Sequence, residues 1–167
     1  QVNETSEQII QNMFSLYQES IQQVYHHLSI ETLNKIATLM VQKKRVFIYG
    51  YGDSQITAAN FINKLAKLNL FPVLATQYGE EIYISKQLQP GDFALFILEC
   101  MKILNQKGIQ TALVTANLQS PLVVYSQYQI MIPDYEKQNK IATFYSQLAF
   151  MYILNNLHAL IYHLKNK

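Results

Sequence analysis

One cysteine, Cys100, stands in 167 residues, so no disulfide can close within the chain, and the usage suits a reducing cytosol. Flanked by Leu98-Glu99 and Met101, it reads as a small core residue rather than a nucleophile. Charge is scarce as well. Only 14% of residues are charged and the formal net charge is +2, whereas binding nucleic acid by phosphate neutralisation calls for a basic stripe. The tightest basic run, Lys43-Lys44-Arg45, precedes an apolar segment and reads as a solvated strand entry. The chain is therefore not expected to grip DNA by itself. No apolar run reaches the about 18–20 residues of a membrane span, and no signal-peptide pattern is present. The expectation is a cytoplasmic protein without membrane contact. Also missing are a Walker-type Gly-Lys-Ser/Thr, an H-E-x-x-H pair and any Cys cluster. No metal, no cofactor and no catalytic set is expected.

Half of the residues are apolar, which at this length suffices for one domain with a packed core. Residues 1–42 show helical periodicity only. Ile10, Phe14, Tyr17, Ile21, Val24 and Leu28 step by 4, 3, 4, 3 and 4, a single apolar seam along a long helix. Thr5 with Gln8 resembles a capping box at its start. His26 and His27 near its end suit the helix dipole and, as adjacent residues, point in different directions rather than toward one metal. A second helix is expected from Ser29 through Met40. From Arg45 the texture changes to short β-rich runs, at 46–49, 71–75, 93–97, 110–115 and 129–132, separated by helical stretches at 54–68, 80–88 and 101–107. Gly108 is a plausible C-cap for the last of these. A final helix from about Asn139 to His163 is apolar around much of its circumference, so it is expected to be buried on more than one side and to favour self-association. Near-continuous apolar strands alternating with helices indicate an α/β fold with a parallel sheet covered on both faces. Ligands in such sheets sit at the carboxyl ends of the strands, where strand order reverses.

The first strand ends in Tyr49-Gly-Tyr-Gly-Asp-Ser54. Two glycines permit a tight turn and close backbone approach, and Ser54 stands at a helix start. Free N–H groups and the positive helix end make this a natural phosphate cradle with the Ser hydroxyl as an added donor. The same pattern also serves merely to turn the chain, with Asp53 or Ser54 as helix cap, and the motif alone does not choose between the two. The four histidines, His26, His27, His158 and His163, lie on the first and last helices and none at a strand end. Glu80 and Glu81 read as a solvated helix start.

The order of these elements and several local motifs resemble the SIS (sugar isomerase) domain, in particular the effector domain of RpiR/MurR-type transcription regulators. Arg45-Val-Phe-Ile-Tyr-Gly-Tyr-Gly-Asp-Ser54 resembles that family's first strand and serine loop. Leu88-Gln-Pro-Gly-Asp-Phe-Ala-Leu-Phe-Ile97 resembles the lead into its second serine loop, and Lys107-Gly-Ile-Gln-Thr-Ala-Leu-Val-Thr115 with Ser120-Pro-Leu122 resembles the next strand and the S-P-L that follows. The resemblance implies a five-stranded parallel sheet of flavodoxin-like order in a three-layer αβα sandwich, with residues 1–42 as N-terminal linker helices and 43–167 as the phosphosugar-binding domain. It implies a sugar phosphate as ligand, a homodimer or homotetramer, and DNA contact only through an N-terminal helix-turn-helix domain absent from this chain. The residues that match the family's binding positions are Gly50, Gly52 and Ser54 in the first loop, and Thr115 and Asn117 at the end of the fourth strand. Glu136 matches an acidic position before the last helix. Tyr51, Asp53 and Gln55 belong to the same loop, with Asp53 expected to cap the helix or to accept from a sugar hydroxyl rather than face the phosphate.

One departure stands out. The family's second loop, S-x-S-G-x-T, should follow the third strand, but Ile97 runs directly into Leu98-Glu-Cys-Met-Lys102. About nine to ten residues are missing against the usual connection. Either a loop belongs between Ile97 and Leu98 that this sequence lacks, or the connection is deleted, and a deletion would weaken phosphate binding. The expected function is that of a sugar-phosphate-sensing regulatory domain and not an enzyme. The alternatives are a sugar-phosphate isomerase on the same fold, with Glu80, Glu81 or Glu136 as base, and an interaction domain that has lost its ligand.

Overall fold

The structure is a computed structural model that describes residues 4–50, 52, 54–75, 80–97, 109–116, 121–132 and 142–167. Two helices lead, α1 (Ser6–His27) and α2 (Ile30–Gln42). They are followed by β1 (Val46–Gly50), α3 (Ser54–Ala66), β2 (Val73–Ala75), α4 (Glu80–Lys86), β3 (Phe93–Ile97), β4 (Gln110–Thr115), a 3-10 turn (Pro121–Tyr125), β5 (Tyr128–Met131) and α5 (Ala142–Lys165). The five strands form one sheet in the order β2-β1-β3-β4-β5, with every neighbouring pair parallel. The expected α/β class and strand order are thus observed. The order reverses between β1 and β3, so the crevice of the sheet opens at the carboxyl ends of those two strands.

Alternation along the strands sorts the core into two layers. Val46 and Ile48 of β1, Phe93, Leu95 and Ile97 of β3, and Ala112 and Val114 of β4 face a large cluster shared with α2, α3 and α5. Phe47, Tyr49, Ala94, Phe96 and Leu113 face the opposite layer with Leu88 and Ile84. There the Tyr49 and Phe96 rings stack at 4.7 Å. Much of the apolar circumference of α5 is covered within the chain: Tyr145, Ala149, Phe150, Ile153, Leu154, Leu157 and Ile161 are all buried, and the helix touches α1, α2 and α3. Met151 and Tyr162 of the same helix remain 47% and 55% exposed. Leu33, Ile36, Ala37 and Met40 of α2 enter the same cluster, so α2 covers the sheet beside α5.

Local chemistry sets the ends of the elements. The capping box at α1 is present: the Thr5 hydroxyl accepts from the Gln8 amide at 3.2 Å, and the Gln8 side chain accepts from the Thr5 amide at 2.8 Å. Ser29 caps α2 by accepting from the Thr32 amide at 3.1 Å. α3 ends at Ala66, two residues before the expected stop. Asn69 adopts a left-handed φ of 55°, and the Leu70 amide reaches back to the Leu65 carbonyl at 3.1 Å, a Schellman-type stop with Asn in the position glycine usually takes. β2 is shorter than the 71–75 run. It is an edge strand preceded by Pro72, which has no N–H to donate to a ladder. β5 is shifted one residue earlier than expected, and Ile132 still donates to the Thr115 carbonyl at 2.9 Å. The helix expected over 101–107 and its cap at Gly108 lie outside the described residues.

The seam on α1 is covered unevenly. Val24 is buried, but Ile10, Phe14 and Tyr17 are 71%, 61% and 41% exposed. The buried positions of this helix are Ser20 and Val24, both in its second half. α1 therefore meets α5 through that half, and its first half runs past the body of the domain.

Candidate functional site

The carboxyl edge of the central strands is built around Gly50. It is the last residue of β1 and pairs with Ile97, the last residue of β3. A Cβ at Gly50 would sit 3.1 Å from the Ala58 Cβ, 3.1 Å from the Gln55 Cα and 3.2 Å from the Ser54 carbonyl oxygen. Only glycine lets the first turn of α3 come this close to the strand. Gly52 serves a different purpose. Its φ is +60° and nothing lies within 4 Å of an added Cβ, so the backbone turn, not the space, requires glycine there. The turn closes with the Gln55 amide donating to the Gly52 carbonyl at 3.0 Å. α3 then begins at Ser54, with no acidic residue in its first turn. The first turn of a helix carries amides without intrahelical acceptors and the positive end of the macrodipole, and here that end points at the crevice between β1 and β3.

Ser54 is only 3% exposed. Its hydroxyl donates to the Ile97 carbonyl at 2.9 Å, so it ties the start of α3 to the end of β3 across the point where strand order reverses. Nothing in the sequence names Ile97 as the acceptor, because the two lie 43 residues apart. Thr115 ends β4, one position beyond the residue that pairs with Ile97, and is fully buried. Gln55 is half-buried in the first turn of α3. Gly50, Gly52, Ser54 and Gln55 thus gather at the β1–β3 crevice, and Thr115 stands at the neighbouring strand end. Tyr51, Asp53, Asn117 and Glu136 lie outside the described residues, as does the connection after Ile97 where the sequence departs from the family pattern.

Tyr49 stands just before Gly50 with its ring in the α4 layer. Burial pushes its phenol up to about 12, against the weaker opposing effect of a hydroxyl contact with Ser85 at 3.5 Å. It remains a neutral group at physiological pH.

The amino ends of the same strands are closed by ions. Arg45 Nε donates to Asp92 Oδ1 at 3.0 Å and Nη2 donates to Asp92 Oδ2 at 2.6 Å and to the Gln87 carbonyl at 2.6 Å. The Gln89 amide also donates to Asp92 Oδ2, at 2.7 Å. Burial alone would raise the Asp92 pKa, but the Arg45 bond, the Gln89 amide and the charges of Arg45 and Lys43 together hold it below its ordinary 3.8. The guanidinium lies 5.0 Å over the Phe47 ring. The basic run that read as a solvated strand entry therefore supplies one fixed ion-pair partner, Arg45. Among the described residues no group of three His, Cys, Asp or Glu could hold a metal ion, and no helix is long and apolar enough to cross a membrane.

Comparison with known proteins places this geometry. A transcription regulator of the HTH type from Haemophilus influenzae is 24% identical over 165 residues, a match that takes in 92% of this chain and 56% of the regulator. The second regulator matched, from Providencia stuartii, is covered over 42% of its length, so the chain spans about half the length of the curated relatives it matches. Among solved structures, the sugar isomerase domain of an RpiR transcription factor from Sphaerobacter thermophilus superposes with a TM-score of 0.80 at 15% identity, covering 95% of this chain and 92% of that one. NanR from Vibrio vulnificus, solved with ManNAc-6P, gives a TM-score of 0.77 at 15% identity over 93% of this chain and 64% of its own. Enzymes share the architecture: phosphoheptose isomerase from Neisseria gonorrhoeae gives 0.72 at 14% identity, over 95% of this chain and 100% of its own. The SIS domain family model matches residues 39–161, from the last turn of α2 to the closing turns of α5, and the chain belongs to the SIS domain family.

Proposed function

We propose that this chain is the effector-binding part of a bacterial RpiR-type transcription regulator and that it binds a phosphorylated sugar at the carboxyl edge of β1, β3 and β4 without turning it over. The observation that carries this reading is the close seating of α3 on Gly50 at the strand-order reversal. It brings a helix amino terminus free of acidic residues in its first turn to the place where α/β sheets take ligands. The phosphoryl group sits against the loop from Gly50 to Gln55, which takes in Tyr51 and Asp53. To contribute, the Ser54 hydroxyl turns from the Ile97 carbonyl to a phosphoryl oxygen. Thr115, Asn117 and Glu136 meet the sugar. The regulator works in the cytoplasm as a homodimer or homotetramer and contacts DNA through a helix-turn-helix domain carried outside these residues, with α1 and α2 as the link. The ligand acts by favouring one arrangement of the protomers over another. The curated relatives are regulators, which supports sensing over catalysis.

Thermal unfolding with a panel of aldose, ketose and amino-sugar phosphates tests this. A ligand at a hundredfold excess over its Kd adds about 2.7 kcal/mol of stability, and the unphosphorylated sugar adds none. Sustained conversion of any panel member, abolished by Glu136→Gln, would assign the site to an isomerase instead. The absence of a shift with every phosphorylated sugar would leave a domain without a ligand.

A further inference from the structure

We infer that the groove between α3 and α5 is a docking site for an amphipathic helix of another protein, one with apolar side chains on its inner face and carboxylates beside them. This goes beyond the sugar-phosphate reading and does not depend on it. The groove, of about 390 Å³, is lined by Ile56, Phe61, Lys64, Met151, Leu154 and Asn155. Phe61 and Leu154 are buried, whereas Ile56 is 75% exposed and Met151 half-exposed, so apolar surface lies open on both helices. The groove follows the helices lengthwise. Ile56 stands in the first turn of α3, Lys64 Nζ donates to Asn155 Oδ1 at 2.6 Å further along, and the Lys165 ammonium donates to the Leu68 carbonyl just past the end of α3. The 13 residues of α3 span about 20 Å, room for about four turns of a second helix.

Charge selects the occupant. Neither α3 nor α5 contains an aspartate or a glutamate, and the chain's 11 acidic residues all lie elsewhere. Lys64 has an uncharged partner in Asn155, and the ion pairs among the described residues are made by Lys35 and Arg45 instead. A carboxylate brought to Lys64, with Lys67 and Lys165 close to the same end of α3, meets attraction and no repulsion from either wall. A basic helix meets only repulsion. An apolar groove between two helices takes a third helix through residues spaced i, i+3, i+4 and i+7. A membrane surface fits less well, because it engages apolar side chains that project from a helix face and these line a hollow. Nucleic acid fits less well again, because it calls for a basic stripe and Lys64 is the one charged residue lining the groove.

The test is fluorescence anisotropy of the whole chain with two labelled synthetic peptides of about 16 residues, helical and identical in their Leu positions at i, i+3, i+4 and i+7. One carries Glu at the flanking positions and the other Lys. The Glu peptide binds about tenfold more tightly than the Lys peptide. Lys64→Glu inverts that order, and Lys64→Met, which keeps the aliphatic stem, makes the two equal. Ile56→Ser weakens both peptides about tenfold and decides the apolar part should a Lys64 variant fail to fold. Val124→Gln, at an exposed apolar position elsewhere, changes neither. No binding of either peptide, equal binding of both to the wild type, or a preference for Glu that survives Lys64→Glu would overturn the assignment. So would vesicles of phosphatidylglycerol that displace the Glu peptide, which would give the face to a membrane, or a sedimenting mass that falls with Ile56→Ser, which would give it to a second copy of the chain.

Discussion

β1 and β3 run side by side from an ionic end to a glycine end, and the two ends are finished by opposite means. At the amino end Arg45 and Asp92 hold each other in a two-pronged bond, and neighbouring backbone groups fill the remaining positions. At the carboxyl end the described residues are small: Gly50 against the helix, Gly52 in the left-handed region, and Ser54 with its hydroxyl spanning to Ile97. The two ends share one register, Val46 with Phe93 at the first and Gly50 with Ile97 at the last. A slip would carry Gly50 away from Ile97 and every inward side chain to the wrong face. The clamp at one end and the Gly50–Ile97 pair at the other therefore lie on one register. Polar groups that answer one another hold a strand pair in place. At the other end glycine brings a helix start and a strand end into close contact.

Substitution at Gly50 breaks this contrast most severely. Gly50→Val forces a branched side chain into a gap already at 3.1 Å for a Cβ, with backbone on one side. It is expected to cost about 3 kcal/mol in denaturant unfolding and to remove the thermal shift given by the sugar phosphate. Next comes Ser54→Ala, which removes the hydroxyl bond to the Ile97 carbonyl. The loss is about 1–2 kcal/mol of stability, with binding weaker by about tenfold, or 1.4 kcal/mol, in calorimetric titration. A binding loss without a stability loss would show that the hydroxyl serves the ligand and not the Ile97 tie. Gly52→Ala is milder, because the space is open and only the left-handed backbone resists. About 1 kcal/mol of destabilisation is expected, and Gly52→Asn should recover part of it.

Asp92→Asn has the smallest effect on binding, leaving ligand affinity within about twofold, well under 1 kcal/mol. It is distinguished by pH. Folding lowers the Asp92 pKa, so the unfolded chain takes up that proton first. The ion pair's contribution is complete above the ordinary carboxylate value of 3.8 and fades as pH falls through the lower folded value. Unfolding curves collected from pH 6 down to pH 2 should show this acid loss in the wild type and a flatter profile in Asp92→Asn. A wild type and variant that lose stability in parallel would mean that the clamp does not hold the strands together.

Much of the fold was legible in the order of residues, because apolar runs of strand length between helical stretches admit few arrangements. The Thr5–Gln8 box was legible for a similar reason, since it spans three residues. The glycine loop was legible as a motif, and its two candidate meanings were not separable, because a turn and a phosphate cradle use the same residues. Partners far apart in the chain left no signal. Arg45 looked like part of a solvated basic run and is paired with a residue 47 positions away. The apolar circumference of α5 suggested a subunit contact; much of it is taken up by α1, α2 and α3, while Met151 and Tyr162 stay exposed. The α1 seam is a single apolar stripe in the sequence and its first half is exposed, because periodicity reports that a stripe is apolar and not what covers it.

Composition and periodicity were enough to specify an α/β chain with strands and helices in this order and with glycines at the end of its first strand. Those features are local, set by dihedral preference, caps and spacing. That Ser54 reaches Ile97, that Arg45 meets Asp92, and which helix face stays bare were decided only on folding. They depend on through-space distances between residues tens of positions apart, and no local rule carries that information.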